Sequence, residues 1–323
     1  MKKTVKNTFI SVLGASFIAM SVPTAVFAET EPKYINVSLR IEGISENLCE
    51  LEAQYLCENE AVYASDIVRF FDESDNSFEV SWTESDYGSY ISAVNGESEG
   101  TFGGWDGWQY RVNGEAPSVG LSAYEVSDGD EIVVYYSDAY GVGMQFPQAS
   151  YYYSDGTLIF TSMDTAYDAN WNPVVTENPV ADMTVELRGA ESYSFKTDES
   201  GCVDLENAGV APGDYQLYYE KQSAEGIPLV LRPSGKVVLE YGYILGDVDN
   251  DGSINALDAS MVLTAYANTA TGKDSGLTAA QELAANVNNS DYAVNALDAS
   301  EILSYYAYTA TGGQASLHEY LGR

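Results

Sequence analysis

Apolar and polar residues alternate over Ile35–Ile41 (INVSLRI), the period of a half-buried strand. Ala64–Phe71 (ASDIVRFF) breaks that period and predicts one short helix. Strand-like stretches return at 77–82, 90–94 and 128–136, with GGWDGWQYRVNG at 103–114 between the last two. One helix among several strands predicts a small α+β domain over 33–138. After Ala139-Tyr140-Gly141 the pattern is short strands only: TLIFTS (157–162), MTVELRG (183–189), YSFKTDESGCVDL (193–205), APGDYQLYYEK (211–221) and GKVVLEY (235–241). Turn chemistry at Asp198–Gly201 and at Pro212-Gly213-Asp214 separates them, which predicts a β-sandwich over 140–242. From 243 to 323 the pattern turns helical. One helix is expected from about Asp258 to Tyr266, with Met261, Val262 and Leu263 as its apolar residues. Thr278 is expected to cap a short linking helix in Leu277–Ala285.

Residues 1–28 read as a secretory signal: Lys2, Lys3 and Lys6, an apolar run too short to span a membrane, and Val26-Phe27-Ala28 as the cleavage site. The expected product is exported and soluble. The formal charge of −35 excludes general phosphate or nucleic-acid binding, which starts from clusters of Lys and Arg. Three cysteines give no disulfide framework. Cys49 and Cys57 are close enough to pair across a hairpin or to stay free, and Cys202 has no obvious mate.

The chain is not expected to be an enzyme. Gly96-Glu97-Ser98-Glu99-Gly100 matches the spacing of a nucleophile elbow, but TFGGWDG follows it rather than a helix. The single histidine, His318, lies in the C-terminal tail, so neither a triad base nor a histidine zinc site is available. Two carboxylates suffice for glycoside hydrolysis, but neither N-terminal region has the length of a large catalytic barrel.

The most specific signal is GDVDNDGSINALDAS, 246–260. Numbered from Asp247, the loop has Asp249 at position 3, Asp251 at 5, Gly252 at 6, Ser253 at 7, Asn255 at 9 and Asp258 at 12. This is the ligand spacing of an EF-hand calcium loop. The oxygens converge on one point, Gly252 permits the sharp turn, and a hard divalent cation neutralises the carboxylates. Position 12 is Asp rather than Glu, and the run before the loop reads as extended chain rather than an incoming helix. A second copy follows at an offset of 40: NALDAS is identical, as are Leu263 and Leu303, Tyr266 and Tyr306, and the two TATG tails. Its loop needs one extra residue, with Asn286, Asn288, Asp291, Asn295 and Asp298 as ligands and Ser290 beside them. It lacks the turn glycine, so Asn289 or Asp291 is expected in the left-handed region. With two carboxylates against four, the second of two Ca2+ sites is expected to be weaker.

This duplicated loop–helix, from about Tyr243 to Gly312, resembles a dockerin, the calcium-folded module that plugs an extracellular component into a cohesin on a scaffold protein. The resemblance implies cohesin-contacting faces around position 12: Ala256, Leu257, Ser260 and Met261 in one copy, Ala296, Leu297, Ser300 and Glu301 in the other. It implies that either copy can bind. From Ile35 to Ser137, the stretch GGWDGWQYRVNGEAPSVG with SDGDEIVVYY resembles the bacterial domain of unknown function that is similar to the C-terminal domain of transcobalamin. That resemblance implies a β-grasp-like fold. The middle region has the pattern of an Ig-like or transthyretin-like sandwich.

Trp108, Tyr110 and Val112 share one strand face and are expected in the core. Trp105 sits in a Gly-rich turn, and with Tyr87 and Tyr90 it is a candidate for stacking on sugar rings. The expected function is a non-catalytic component of a cellulosome- or amylosome-like polysaccharide-degrading complex, held by its dockerin. Cobalamin-like small-ligand capture and a structural or adhesive spacer are the alternatives.

Overall fold

The computed structural model describes residues 33–322 apart from 58, 60, 76, 87, 153–155, 168–171, 289, 290 and 292. The expected signal segment, 1–28, lies outside the described residues.

The first part of the chain runs β1 (Tyr34–Glu42), β2 (Asn47–Leu56), α1 (Ala64–Ser74), β3 (Val80–Ser85), β4 (Gly88–Val94), β5 (Glu97–Ser98), β6 (Gly107–Val112) and β7 (Asp130–Ser137). One sheet has the order β2-β1-β7-β6, with β1 and β7 parallel; a smaller sheet has the order β3-β4-β5. The period-2 pattern of β1 sends Ile35, Val37, Leu39 and Ile41 into the core. Helix α1 covers that face with Ala64, Ile67, Val68 and Phe71, spaced as one helical stripe.

The second part runs β8 (Gln148–Tyr152), β9 (Thr157–Tyr167), β10 (Pro173–Pro179), β11 (Thr184–Arg188), β12 (Ser192–Lys196), β13 (Cys202–Asp204), β14 (Gly213–Glu220) and β15 (Val238–Tyr241). Its sheets are β10-β9-β13, with β8 also on β9, and β12-β11-β14-β15. A core of Leu158, Phe160, Val185, Leu187, Tyr215 and Leu217 is buried within this part.

The outer face of the β2-β1-β7-β6 sheet does not meet solvent where Arg40 and Glu42 sit. Both are buried, and so is Arg232 from the second part. Glu42 accepts from Arg40 Nη1 at 2.7 Å and from Arg232 Nε at 3.0 Å. Arg232 also donates to the carbonyls of Gly43 and Glu46 in the β1–β2 turn. Phe146 packs on Tyr135 with ring centroids 5.7 Å apart, and the Arg111 guanidinium lies 3.7 Å from the Phe146 ring centre. The C-terminal end of the polar face of β1 is thus buried under a neighbouring β region, while Asn36 at its other end stays exposed.

The third part is helical: α2 (Ala256–Ala270), α3 (Ala279–Ala285), α4 (Ala296–Ala310) and α5 (Leu317–Leu321). Val262 and Ile302, at the 40-residue offset, are both fully buried in its core. Helix α2 runs a turn beyond the predicted Tyr266, and Thr278 caps α3 as expected. The passage from β15 into this region has little slack. Tyr243 and Leu245 are buried, the Tyr243 hydroxyl donates to Asp214, and His318 Nε2 lies 2.7 Å from Glu240. No helix among the described residues is long and apolar enough to cross a membrane.

Of the two alternatives for Cys49 and Cys57, the structure has the free thiols. Cys49 lies inside β2 and Cys57 just beyond its end, so eight residues of one extended strand hold them apart, and both are free. Strands β2, β8 and β10 and helix α5 were not expected from periodicity.

Candidate functional site

The first loop folds around its own carboxylates. One oxygen each of Asp247, Asp249 and Asp258 lie within 4.8 Å of one another. Asp247 accepts from the amides of Asp251 (3.1 Å) and Gly252 (2.9 Å), which draws the chain into a ring. The turn is made by two left-handed residues, Asn250 (φ 58°) and Gly252 (φ 85°). Asp251 is not part of the trio; its Oδ1 accepts from Ser253 N at 2.8 Å. Burial raises the Asp249 pKa from its ordinary value, and the facing charges of Asp258 and Asp251 raise it further. This is a site whose acids repel one another until a cation sits among them. Its all-oxygen donors, including the Ser253 carbonyl position, suit a hard divalent ion such as calcium.

Asn255 and Asp258 do a second job. The Asn255 side chain accepts from Leu257 N at 2.8 Å, and Asp258 Oδ2 accepts from Asn255 N at 2.8 Å, a reciprocal cap on α2. The other Asp258 oxygen accepts from Val248 N at 2.7 Å, so one fully buried carboxylate joins loop start to helix start. Asp258 at loop position 12 is thus also residue N3 of α2, where its side chain reaches back to the N-cap amide. The N-x-x-D spacing carried this signal in the sequence, where only the ligand reading was made.

The second copy repeats the cap: Asn295 accepts from Leu297 N at 2.7 Å and Asp298 from Asn295 N at 2.7 Å. Burial pushes the Asp298 carboxyl up, against hydrogen bonds from the amides of Asn288 and Asn295. The other residues expected as ligands in this loop are less gathered. Asn288 Nδ2 donates to Glu301 at 2.5 Å, and Asp291 accepts from Ala293 N and from Asn295 Nδ2. Asn286 Oδ1 is buried with no hydrogen-bond partner among the described residues. Asn289 and Ser290 lie outside the described residues, and with them the left-handed turn expected at Asn289 or Asp291.

Around both helix starts the exposure repeats. Ala256, Leu257 and Ser260 are exposed in one copy and Ala296, Leu297 and Ser300 in the other, while Met261 and Glu301 are half-buried at matching positions. Glu301 is tied to the loop by Asn288 rather than free on the face. One helical turn on, Leu263 and Tyr266 and their counterparts Leu303 and Tyr306 are exposed to within two percentage points of each other, 44 and 43 % against 42 and 43 %. These four had been read only as part of the repeat or as helix packing. Their exposure follows from Val262 and Ile302 already filling the inter-helix core.

In the first region Trp105 is 83 % exposed at the crest of its Gly-rich turn. Buried Asp106 holds that turn, accepting from Phe102 N and Gly104 N at 3.0 Å each and from the Tyr136 hydroxyl. Tyr90 is 40 % exposed, and Tyr87 lies outside the described residues. Trp108 and Tyr110 pack against the first core, as expected. Ser98 of the elbow-like pentapeptide sits in β5 with its hydroxyl on the Gly96 carbonyl, facing no histidine.

Residues 245–306 match the family model described as the Dockerin type I domain, and residues 70–138 match the model described as Domain of unknown function (DUF4430). No curated protein matches the chain. Among solved structures, haptocorrin in complex with Cbi is similar at 22% identity over 34% of this chain and 26% of that one, with a TM-score of 0.29. A Ruminococcus gnavus ATCC 29149 protein described as a "putative metal binding protein" is similar at 17% identity over 33% of this chain and 99% of that one, with a TM-score of 0.25. This chain therefore carries a dockerin type I domain at its C-terminal end, a non-catalytic calcium-binding module that implies a cohesin partner, behind a domain of unknown function.

Proposed function

We propose that the protein is a secreted, non-catalytic component of a polysaccharide-degrading complex. Its dockerin holds it to a scaffold cohesin, and its N-terminal regions touch the polysaccharide. The observation that carries the scaffold half is the folded first loop, with Asp247, Asp249 and Asp258 gathered at the start of α2. Two Ca2+ sites follow. The first uses Asp247, Asp249, Asp251, Ser253, Asn255 and Asp258. The second, weaker site uses Asn286, Asn288, Asp291, Asn295 and Asp298, and the orphaned Asn286 oxygen supports it. The exposed pairs Leu257/Leu297 and Tyr266/Tyr306 support two equivalent cohesin faces.

The domains in this reading are 33–138, β-grasp-like, 140–242, an Ig-like or transthyretin-like sandwich, and 243–323, the dockerin, behind a signal peptide at 1–28. The polysaccharide half is supported by Trp105, a large ring held out to solvent by a buried carboxylate. Retention of the full chain on insoluble starch, cellulose and xylan, beside Trp105→Ala, tests it. Retention weakened by the substitution supports carbohydrate contact. Retention on none of the three returns the N-terminal regions to a spacer role.

A further inference from the structure

A large cleft between the second region and the dockerin is lined in part by the second loop and belongs to the site already described. A smaller cavity in the first region does not. It has a volume of about 400 Å3 and lies between β4, β6 and the strap 116–121. That is within the ~300–1,000 Å3 range of small-molecule sites.

Three features define what it would take. First, no Asp, Glu, Lys, Arg or His is among the described residues that line it, in a chain of formal charge −35. Second, it has aromatic walls: Tyr90, Trp108, Tyr110 and Tyr135 all contribute, and the ring hydroxyl of Tyr110 is fixed to the Val119 carbonyl at 2.6 Å. Third, one wall is an unpaired strand edge. Asn113 N donates to Glu131 O, and Val112 exchanges both of its main-chain bonds with Glu115 on the opposite side. The antiparallel ladder alternates, so the main-chain N–H and C=O of Trp108 and Tyr110 also point away from β7. They have no partner among the described residues, and neither does the Gln109 amide. Pro117 in the facing strap has no N–H to offer them.

A ligand here meets aromatic faces, alternating donors and acceptors, and no charge. Sugar hydroxyls each donate and accept, and the C–H face of a pyranose stacks on an aromatic ring. We infer that the cavity between β4, β6 and residues 116–121 is a subsite for a neutral hexose unit of a polysaccharide; this deepens the carbohydrate reading above and rests on it. A phosphate or uronate would find no cation there, and an extended peptide would find its route along β6 closed by the strap.

The test is retention of the full chain on starch, cellulose, xylan and polygalacturonate, for the wild type and two variants. Val119→Trp adds a ring to a half-exposed position at the cavity and fills it; Tyr90→Ala removes a half-exposed wall without touching the core. Circular dichroism verifies that each variant keeps the fold. The expected result is retention on a neutral glycan, abolished by Val119→Trp and weakened about tenfold by Tyr90→Ala, the loss of one anchoring contact. Retention unchanged in both variants overturns the cavity while leaving carbohydrate binding elsewhere on the chain. Retention on polygalacturonate alone overturns the neutral class but not the wider reading. Retention of the wild type on none of the four overturns both.

Discussion

Arg232 donates its Nε to the carboxylate of Glu42 across 3.0 Å and 190 positions of chain, and both side chains are buried. Glu42 is shared with Arg40, so removing it leaves two guanidiniums facing each other out of water. Breaking a buried pair from one side costs about 3–5 kcal/mol. Glu42→Ala is expected to lower stability by that order, and Arg232→Ala to do so while freeing the carbonyls of Gly43 and Glu46. In urea the wild-type first and second regions should unfold in one transition, and either variant in two. A single coincident transition in both variants, at unchanged midpoint, would show that the contact holds nothing together.

The calcium loops are expected to separate in a titration. Asp249→Ala should remove the tighter phase and Asn286→Ala the weaker one, with helix circular dichroism and calorimetry as the readouts. Excess chelator should reduce the helix signal of the dockerin, since metal affinity is folding free energy in such modules. Two equal, tight phases in the wild type would contradict the weaker second site.

Asp258 should behave unlike the other ligands. Because it also caps α2, Asp258→Ala is expected to cost about 1 kcal/mol beyond its calcium effect, visible even in chelator, where Asp249→Ala has no such cap to lose. Equal stability of the two calcium-free variants would remove the capping role.

Burial pushes the Cys49 thiol up to about 12. A thiol with a folded pKa above its unfolded value contributes stability that is complete below about pH 8.5, the unfolded value, and is lost as pH rises towards the folded one. Iodoacetamide at pH 8 should therefore spare Cys49 in the native chain and label half-buried Cys57 faster. Mass spectrometry of the labelled peptides decides it, and equal labelling would mean that β2 opens readily.

For Asp106, burial alone would raise the carboxyl, but hydrogen bonds from the Tyr136 hydroxyl and from the amides of Phe102 and Gly104 outweigh it and hold the pKa below the usual value. The folded value is the lower one, so the stabilisation is present above the ordinary carboxylate range and fades as pH falls through the depressed one. Asp106→Ala should loosen the turn at neutral pH, and acid should do the same to the wild type. Trp105 fluorescence anisotropy, compared with a Trp105→Phe control, reports it. Unchanged anisotropy in Asp106→Ala would place the order of the turn elsewhere.

How far the chain could be read depended on the range of the signal. The first calcium loop is local, with oxygens at fixed spacing and a glycine where the turn needs one, so its spacing alone predicted the gathering of Asp247, Asp249 and Asp258. The cap formed by Asn255 and Asp258 was equally local but was hidden behind the ligand reading of the same residues. Arg40 and Glu42 could not be placed, because polar residues on alternate positions of β1 read as a solvent face, and only the fold brings Arg232 over them. The turn from Asn286 to Asn288 was blurred for a related reason: an inserted residue destroys the register on which loop numbering depends, and the tie from Asn288 to Glu301 is a tertiary contact. Whether Cys49 and Cys57 pair was left open by the sequence, because only the fold shows that one strand runs on where a hairpin would have joined them.

The junction at Tyr243 has a mechanical consequence. Gly242 sits against Pro212 so closely that a Cβ there would fall 2.9 Å from the proline ring, and Tyr243 and His318 are bonded to the second region on either side. Swivelling at this joint would have to break both hydrogen bonds. The two exposed helix faces are related by the symmetry of the repeat, so if either can take a cohesin, as proposed, one gripping α2 and one gripping α4 would hold the same body in two different poses. Exchange between them would swing the N-terminal end bodily from one heading to another, with no intermediate heading supplied by a loose tether. Attachment would then set direction as well as location.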